Sequence, residues 1–259
     1  MQYGICLLSV VSCRKESSNT SEIVTQLLFG EHYSVIETTE NWLKINIAFD
    51  SYECWINSKQ HQKISDTTFK QLNSEVLLYS NELIQVIINK QTQISFPISL
   101  GSALPFLKNN NLKIEDYEFY FDGNSTLSNS KKSNSEIIQT SYLFLNAPYL
   151  WGGKSPFGID CSGFTQIVYK LNGYKLPRDA HQQVELGEPL NFVDEAEAGD
   201  LAFFDNEDGK IVHVGLLLNN QQIIHANGQV RIDNFDHYGI FNSTTKKYSH
   251  TLRVIKRLI

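Results

Sequence analysis

The sequence predicts an α+β protein in which small all-β units precede a domain that sets helices first and an antiparallel sheet afterwards. Three observations carry this. Residues 4–60 hold short apolar runs separated by polar turns, at the spacing of an all-β module. The run Cys161 to Leu171 places Phe164, Ile167, Val168 and Leu171 at helical spacing. Beyond Gly199-Asp200 come the strand-like segments Leu201–Phe204, Ile211–Leu218 and Gln222–Ala226. A chain of 259 residues suits two or three compact units, and the expected divisions are 1–60, 61–132 and 133–259.

In the first unit, WLKINI alternates, with Trp42, Lys44 and Asn46 on one side and Leu43, Ile45 and Ile47 on the other. Trp55 is assigned to the barrel core. ICLLSVVSC reads as the opening strand. In the second unit VLLYS, LIQVIIN and YEFYFDG are strand-like, whereas PISLGSALPF has loop character. Residues 123–134, GNSTLSNSKKSN, have the composition of a linker. Ser135 or Asn134 then caps a helix over Glu136 to Asn146 that presents Ile138, Tyr142 and Leu145.

Composition narrows the partners. A net charge of −6 argues against nucleic acid or an anionic membrane surface, and Lys and Arg are scattered. No stretch approaches the ~20 apolar residues of a membrane span. The four cysteines form no CxxC pair and no metal-type spacing, so neither a metal nor another cofactor is expected. Free, buried thiols are expected at Cys6, Cys13 and Cys54, with a Cys6–Cys13 or Cys13–Cys54 disulfide as the alternative. Val10-Val11-Ser12-Cys13 has the outline of a lipobox, yet Met1 to Ser12 contains no Lys or Arg. The expectation is a cytoplasmic monomer, with export or lipid anchoring through Cys13 as the alternative.

The chemistry centres on residues 146–165, NAPYLWGGKSPFGIDCSGFT. Asp160 is a good helix N-cap, which puts Cys161 in the first helical turn, where unpaired N–H groups favour a thiolate. Downstream, His213 and His225 each stand in an apolar strand. A base and its orienting partner behind a cysteine make a nucleophile site. The hairpin between them sets a condition. With a strict two-residue turn at Asn219-Asn220, the two histidines point to opposite faces. A shared site requires the pairing to slip by one residue, through a bulge or a longer loop.

PYLWGG, DCSGF, PRDAHQQ, AGDLAFF, HVGLLL and IIHANG, in that order, resemble the catalytic domain of the NlpC/P60 family of papain-like cysteine peptidases. The upstream half resembles the bacterial SH3-like modules that precede this domain in γ-D-glutamyl-L-diamino acid endopeptidases. The resemblance implies a papain-like domain behind two SH3-like barrels, with Cys161 as nucleophile, His213 as general base and His225 as its orienting group. It also implies that Tyr149 joins the Cys161 N–H as an oxyanion donor. The substrate implied is a muropeptide with a free L-Ala amine, cut between γ-D-Glu and a diamino acid. Glu31 and Tyr52 are then the clamp for the ammonium, with Asp179 within reach of it. Asp160 and Ser162 serve beside the nucleophile, and Trp151 lies in the matched loop. Three rival readings are a catalytically silent wall-peptide-binding protein, an amidase or acyltransferase on the same fold, and a Zn²⁺ site at Cys161, His213 and His225.

Overall fold

A computed structural model describes residues 2–259, so the first residue of the expected 1–60 unit lies outside the described residues. The first unit is a seven-stranded antiparallel sheet of β1 (Gln2–Ile5), β2 (Val10–Arg14), β3 (Ile23–Leu28), β4 (His32–Thr38), β5 (Trp42–Ile47), β6 (Glu53–Asn57) and β7 (Gln62–Ile64). Its order is β3-β2-β6-β5-β4-β1-β7. ICLLSVVSC is therefore the end of one strand and most of a second, not one strand. Leu43, Ile45 and Ile47 face the core as the alternation requires. Trp55 does not. It stands opposite Lys44 on the outward face, while its neighbours Cys54 and Ile56 are buried. Cys6, Cys13, Cys54 and Cys161 are all free and buried.

A short helix, α1 (Asp66–Ser74), leads to the second unit. This comprises β8 (Leu78–Ser80), β9 (Ile84–Asn89), β10 (Ser95–Ser99), β11 (Asn111–Ile114), β12 (Tyr117–Tyr120) and β13 (Ser125–Leu127). Four of them form a sheet in the order β10-β9-β12-β11, and β8 pairs with β13. The segment read as loop contributes part of β10, where Pro97 is tolerated because this is an edge strand.

In the third unit, α2 (Asn134–Tyr142) is capped by Ser133 in a capping box with Glu136. Its buried residues are Ile137 and Ser141, one position earlier than the predicted stripe, and Tyr142 and Leu145 are exposed. The two-stranded β14 (Lys154–Ser155) and β15 (Gly158–Ile159) lead into α3 (Cys161–Leu171). After α4 (Ala180–Gln183) come β16 (Glu188–Leu190), β17 (Leu201–Asp205), β18 (Ile211–Asn219), β19 (Gln222–Asn227), β20 (Gln229–Asp236), β21 (Gly239–Asn242) and β22 (Lys247–Arg257). Because β22 pairs with both β17 and β21, the six strands β17 to β22 close into a barrel. The apolar face of α3 packs on β18 and β19, with Phe164, Ile167 and Val168 in one core with Val214, Leu216 and Ile224. That packing sets the start of α3 beside the histidine strands.

Candidate active site

Helix α3 begins where the Asp160 cap predicts. Asp160 has extended backbone, and its Oδ1 accepts the Gly163 N–H at 2.7 Å, so Cys161 is the first helical residue. Two glycines make the local approach possible. A Cβ on Gly163 would lie 2.4 Å from the Gly153 carbonyl oxygen. Gly152 has φ +75° and would meet the Ile23 carbonyl oxygen of the first barrel at 2.3 Å. The loop before Cys161 is thus pressed against both its own helix and β3.

The hairpin satisfies the parity condition. Leu216 pairs with Ile224 and Leu217 with Ile223, then the register slips so that Asn219 faces Gln222. This bulge brings His213 and His225 to one face, with His213 Nε2 2.8 Å from His225 Nδ1. His225 Nε2 in turn lies 3.0 Å from Asp233 Oδ2 on β20, a residue the sequence reading did not single out. Arg231 donates to the other oxygen of Asp233 at 2.8 Å. His250 on β22, also missed, stacks on the His213 ring with centroids 4.1 Å apart and planes 22° apart.

His213, His225 and His250 place nitrogens within 4.8 Å of one another. They do not make a metal cage. The facing nitrogens of His213 and His225 share a hydrogen bond, and the in-plane lone pairs of two nearly parallel rings run alongside rather than converging.

Cys161 is not a resting thiolate. Burial pushes its thiol up to about 12, and the charge of Asp160 adds to this, outweighing hydrogen bonds from the backbone of Val214 and Ser162 and the charge of Arg178. The expected helix-terminus effect is therefore overridden. Burial also holds His213 well below the ordinary imidazole value, with His225 and His250 adding to the effect. Both partners are neutral near pH 7. The backbone of Val214, the residue that follows His213, lies near enough to the Cys161 sulfur to favour its anion. Tyr149 is half-buried beside this site, its hydroxyl pushed up to about 12 by burial and by the charges of Cys161 and Asp160.

Cys161 opens onto a cleft of roughly 610 Å³ between the first barrel and the third unit. Tyr52, Trp151, Ser162 and Asp179 line it, as does Glu22, which the sequence reading passed over. Asp179 caps α4, as expected, and faces the Tyr52 hydroxyl. Burial raises its carboxyl, while Arg178, His181 and Tyr52 pull it down. Trp151 is 58% exposed and donates its indole N–H to Glu22 at 2.6 Å.

Two of the predicted substrate contacts are already engaged within the protein. Glu31 is 4% exposed and lies in a different cavity, where its carboxylate takes Lys154 Nζ at 3.2 Å, Lys170 Nζ at 2.7 Å and the Leu28 N–H at 2.9 Å. Those partners consume its lone pairs, so it cannot clamp a ligand in the Cys161 cleft. Asp160 borders the cleft but is also saturated, by Gly163, by the Gly152 N–H at 2.8 Å and by Arg178 at 3.0 and 2.6 Å. Arg178 reaches Thr25 of β3 at 3.0 Å and donates to Ser162 Oγ at 2.9 Å, which ties the nucleophile helix to the first barrel.

A family model described as the NlpC/P60 family matches residues 146–249, and one described as the bacterial dipeptidyl-peptidase Sh3 domain matches residues 13–60. The chain is 31% identical over 219 residues to the γ-D-glutamyl-L-lysine dipeptidyl-peptidase of Bacillus subtilis (strain 168), covering 79% of this chain and 72% of that one. It is 27% identical over 266 residues to dipeptidyl-peptidase 6 of Lysinibacillus sphaericus, covering 90% and 92%. Among solved structures, an NlpC/P60 family protein from Bacillus cereus superposes with a TM-score of 0.84 at 20% identity, over 99% of both chains. An NlpC/P60 endopeptidase from Photobacterium damselae subsp. piscicida gives 0.73 at 17% identity, over 97% of this chain and 70% of that one. These two likenesses speak to the fold. The first family match takes in Cys161, His213, His225 and Asp233, and the Bacillus subtilis relative aligns along most of its length; the chain belongs to the NlpC/P60 family of cysteine peptidases.

Proposed function

We propose that this peptidase hydrolyses the bond between γ-D-Glu and the diamino acid of peptidoglycan stem peptides whose L-Ala amine is free. The observation that carries the reading is the cleft itself. It joins the Cys161 sulfur to the half-buried Asp179 carboxylate and the Tyr52 hydroxyl, with Glu22 at the rim. A carboxylate raised by burial gains most from an ammonium that enters beside it. The name of the Bacillus subtilis relative, γ-D-glutamyl-L-lysine dipeptidyl-peptidase, supports the same substrate class.

In this reading Cys161 attacks the γ-carbonyl carbon while its proton passes to His213, so a neutral pair becomes charged only as the bond forms. The Cys161 N–H and the Tyr149 hydroxyl receive the oxyanion. As the C–N bond breaks, His213 returns the proton to the departing amine, and water then hydrolyses the thioester. Ser162 accepts from Arg178 and donates to Asp160 Oδ1 only across a long 3.4 Å contact, a proton it can turn instead to the α-carboxylate of D-Glu. The proposal extends to a cytoplasmic monomer that recycles free stem peptides. Cys13, wholly buried in the barrel core, would have to leave that core to carry a lipid.

Free L-Ala-γ-D-Glu-L-Lys and its N-acetylated form, incubated with the protein and with Cys161→Ala, test this. The free peptide yields L-Ala-γ-D-Glu and lysine. Acetylation removes the charge that Asp179 needs and slows turnover by about 10²-fold or more. Equal turnover of the two peptides overturns the amine specificity, and activity in Cys161→Ala overturns the nucleophile.

A further inference from the structure

We propose that Asp233 is a positioning residue for the peptidase reaction: acting through His225, its carboxylate decides which nitrogen of His213 carries the proton, and so keeps Nδ1 of His213 free to take the proton of Cys161. The inference rests on the reading of Cys161 as nucleophile and His213 as its base.

Three adjacent strands carry the chain of contacts. His213 on β18, His225 on β19 and Asp233 on β20 are 5%, 0% and 5% exposed, so each polar atom depends on the next. An ionised carboxylate only accepts hydrogen bonds. Asp233 is held ionised by His225 on one oxygen and Arg231 on the other, contacts that outweigh the effect of its burial. His225 Nε2 must therefore carry a hydrogen to make its 3.0 Å contact. A neutral imidazole has one N–H, so His225 Nδ1 is a lone pair. The 2.8 Å contact then requires His213 Nε2 to be the donor. His213 spends its one hydrogen there, and its Nδ1 is left as an acceptor. Among the described residues Nδ1 has no hydrogen-bond partner.

The alternative arrangement explains why the carboxylate matters. Two neutral histidines in contact can hold their hydrogen bond in either direction. With His225 Nδ1–H donating, His213 must accept at Nε2 and carry its hydrogen on Nδ1, a form that cannot take a proton from a thiol. Without Asp233 nothing at the far end of His225 selects between the two. When His213 accepts the thiol proton, its Nε2–H still points to His225, and His225 still points to Asp233. The new positive charge thus faces a chain ending in a fixed negative one, and no proton moves onto Asp233. The other groups facing this chain are Arg231, which holds the second oxygen of Asp233, and the stacked ring of His250.

Asp233→Asn tests the idea, because Arg231 donates to one side of residue 233. An Asn there turns its oxygen to Arg231 and its NH₂ to His225, and so selects the inactive tautomer. The expected result is a kcat lowered by about 10²–10⁴-fold with an unchanged far-UV spectrum. The ¹⁵N spectra of histidine-labelled protein should show the His225 proton moved from Nε2 to Nδ1. Removing Arg231 as well (Arg231→Ala with Asp233→Asn) frees the Asn to turn its oxygen to His225 and should recover at least tenfold of the loss, on the same logic. A purely structural role predicts a worse double variant. The proposal is overturned by an Asp233→Asn kcat within about threefold of wild type, by a wild-type His225 protonated at Nδ1, or by a double variant no better than the single one. Activity in Cys161→Ala or His213→Ala overturns instead the reading on which it rests.

Discussion

Two pairs of carboxylates lie along the seam between the first barrel and the nucleophile helix, and they are spent differently. Glu31 and Asp160 are buried with every strong acceptor position taken, by two ammonium groups and an amide in one case and by a guanidinium and two amides in the other. Asp179 and Glu22 border the open cleft with acceptor capacity to spare. A motif match places a carboxylate near a ligand, but its unused lone pairs decide whether it can bind one. On that ground the clamp we propose for the ammonium is Asp179 with Tyr52, rather than Glu31 with Tyr52.

The sharpest way to break the comparison is to remove a saturated member. Glu31→Gln leaves Lys154 and Lys170 buried around a neutral amide, which should cost about 3–5 kcal/mol of stability. It should be read as a lowered denaturation midpoint, with near-normal KM in the protein that remains folded. Glu31→Leu with Lys154→Met and Lys170→Met should return most of the loss, because no unpaired charge remains. The pH dependence has a definite sign. The two lysines, which outweigh the burial, hold the Glu31 carboxyl at about 2 against an ordinary 4.5. Its stabilisation is complete above pH 4.5 and is lost as pH falls towards 2, about 3 kcal/mol in all. Glu31→Gln lacks that acid-sensitive component. A large rise in KM without loss of stability would return Glu31 to the substrate.

These distinctions were only partly legible in the sequence. The bounds of α3 were legible because the Asp160 cap and Asn172-Gly173 are local signals. The hairpin bulge was legible because two histidines with one task must share a face. Trp55 was misassigned, although it stands opposite Lys44, already placed on the outward side, and so could have been placed by parity. The α2 stripe was off by one because Ile137 and Ile138 offer two faces of equal apolarity. Helix α1 gives little sequence signal because only Phe69 and Leu72 mark its apolar face. Asp233, His250 and Arg178 were out of reach for another reason. Their partners are fixed by the register of distant strands and by packing between units, which no local pattern encodes.

A member of the open pair should show the opposite signature. Asp179→Asn keeps the α4 cap, since Asn is as good an N-cap as Asp, so stability should change little. Losing a charged partner for the ammonium should lower kcat/KM on free-amine peptides by about 10–10²-fold, mainly through KM. In the wild type, kcat/KM should also fall as pH rises through about 8, where the peptide α-amine loses its charge. Asp179→Asn should flatten that limb. The low-pH limb, set by protonation of His213 below its ordinary value, should remain. An unchanged alkaline limb would place the ammonium elsewhere.

Glu22 separates rim from clamp, and its expected effect is the smallest. Its side chain is 40% exposed, one oxygen holds the Trp151 indole at 2.6 Å, and the other lies 3.3 Å from Lys15. Glu22→Gln keeps an oxygen for the indole, so Trp151 stays in place, and only the charge is lost. A solvated charge at that distance acts through screened attraction, so KM should rise about two- to fivefold at low ionic strength and the difference should fade at high salt. Activity measured across a salt series decides the point. A tenfold effect that persists at high salt would mean that substrate binding desolvates Glu22, and the clamp would then consist of Glu22, Tyr52 and Asp179 together.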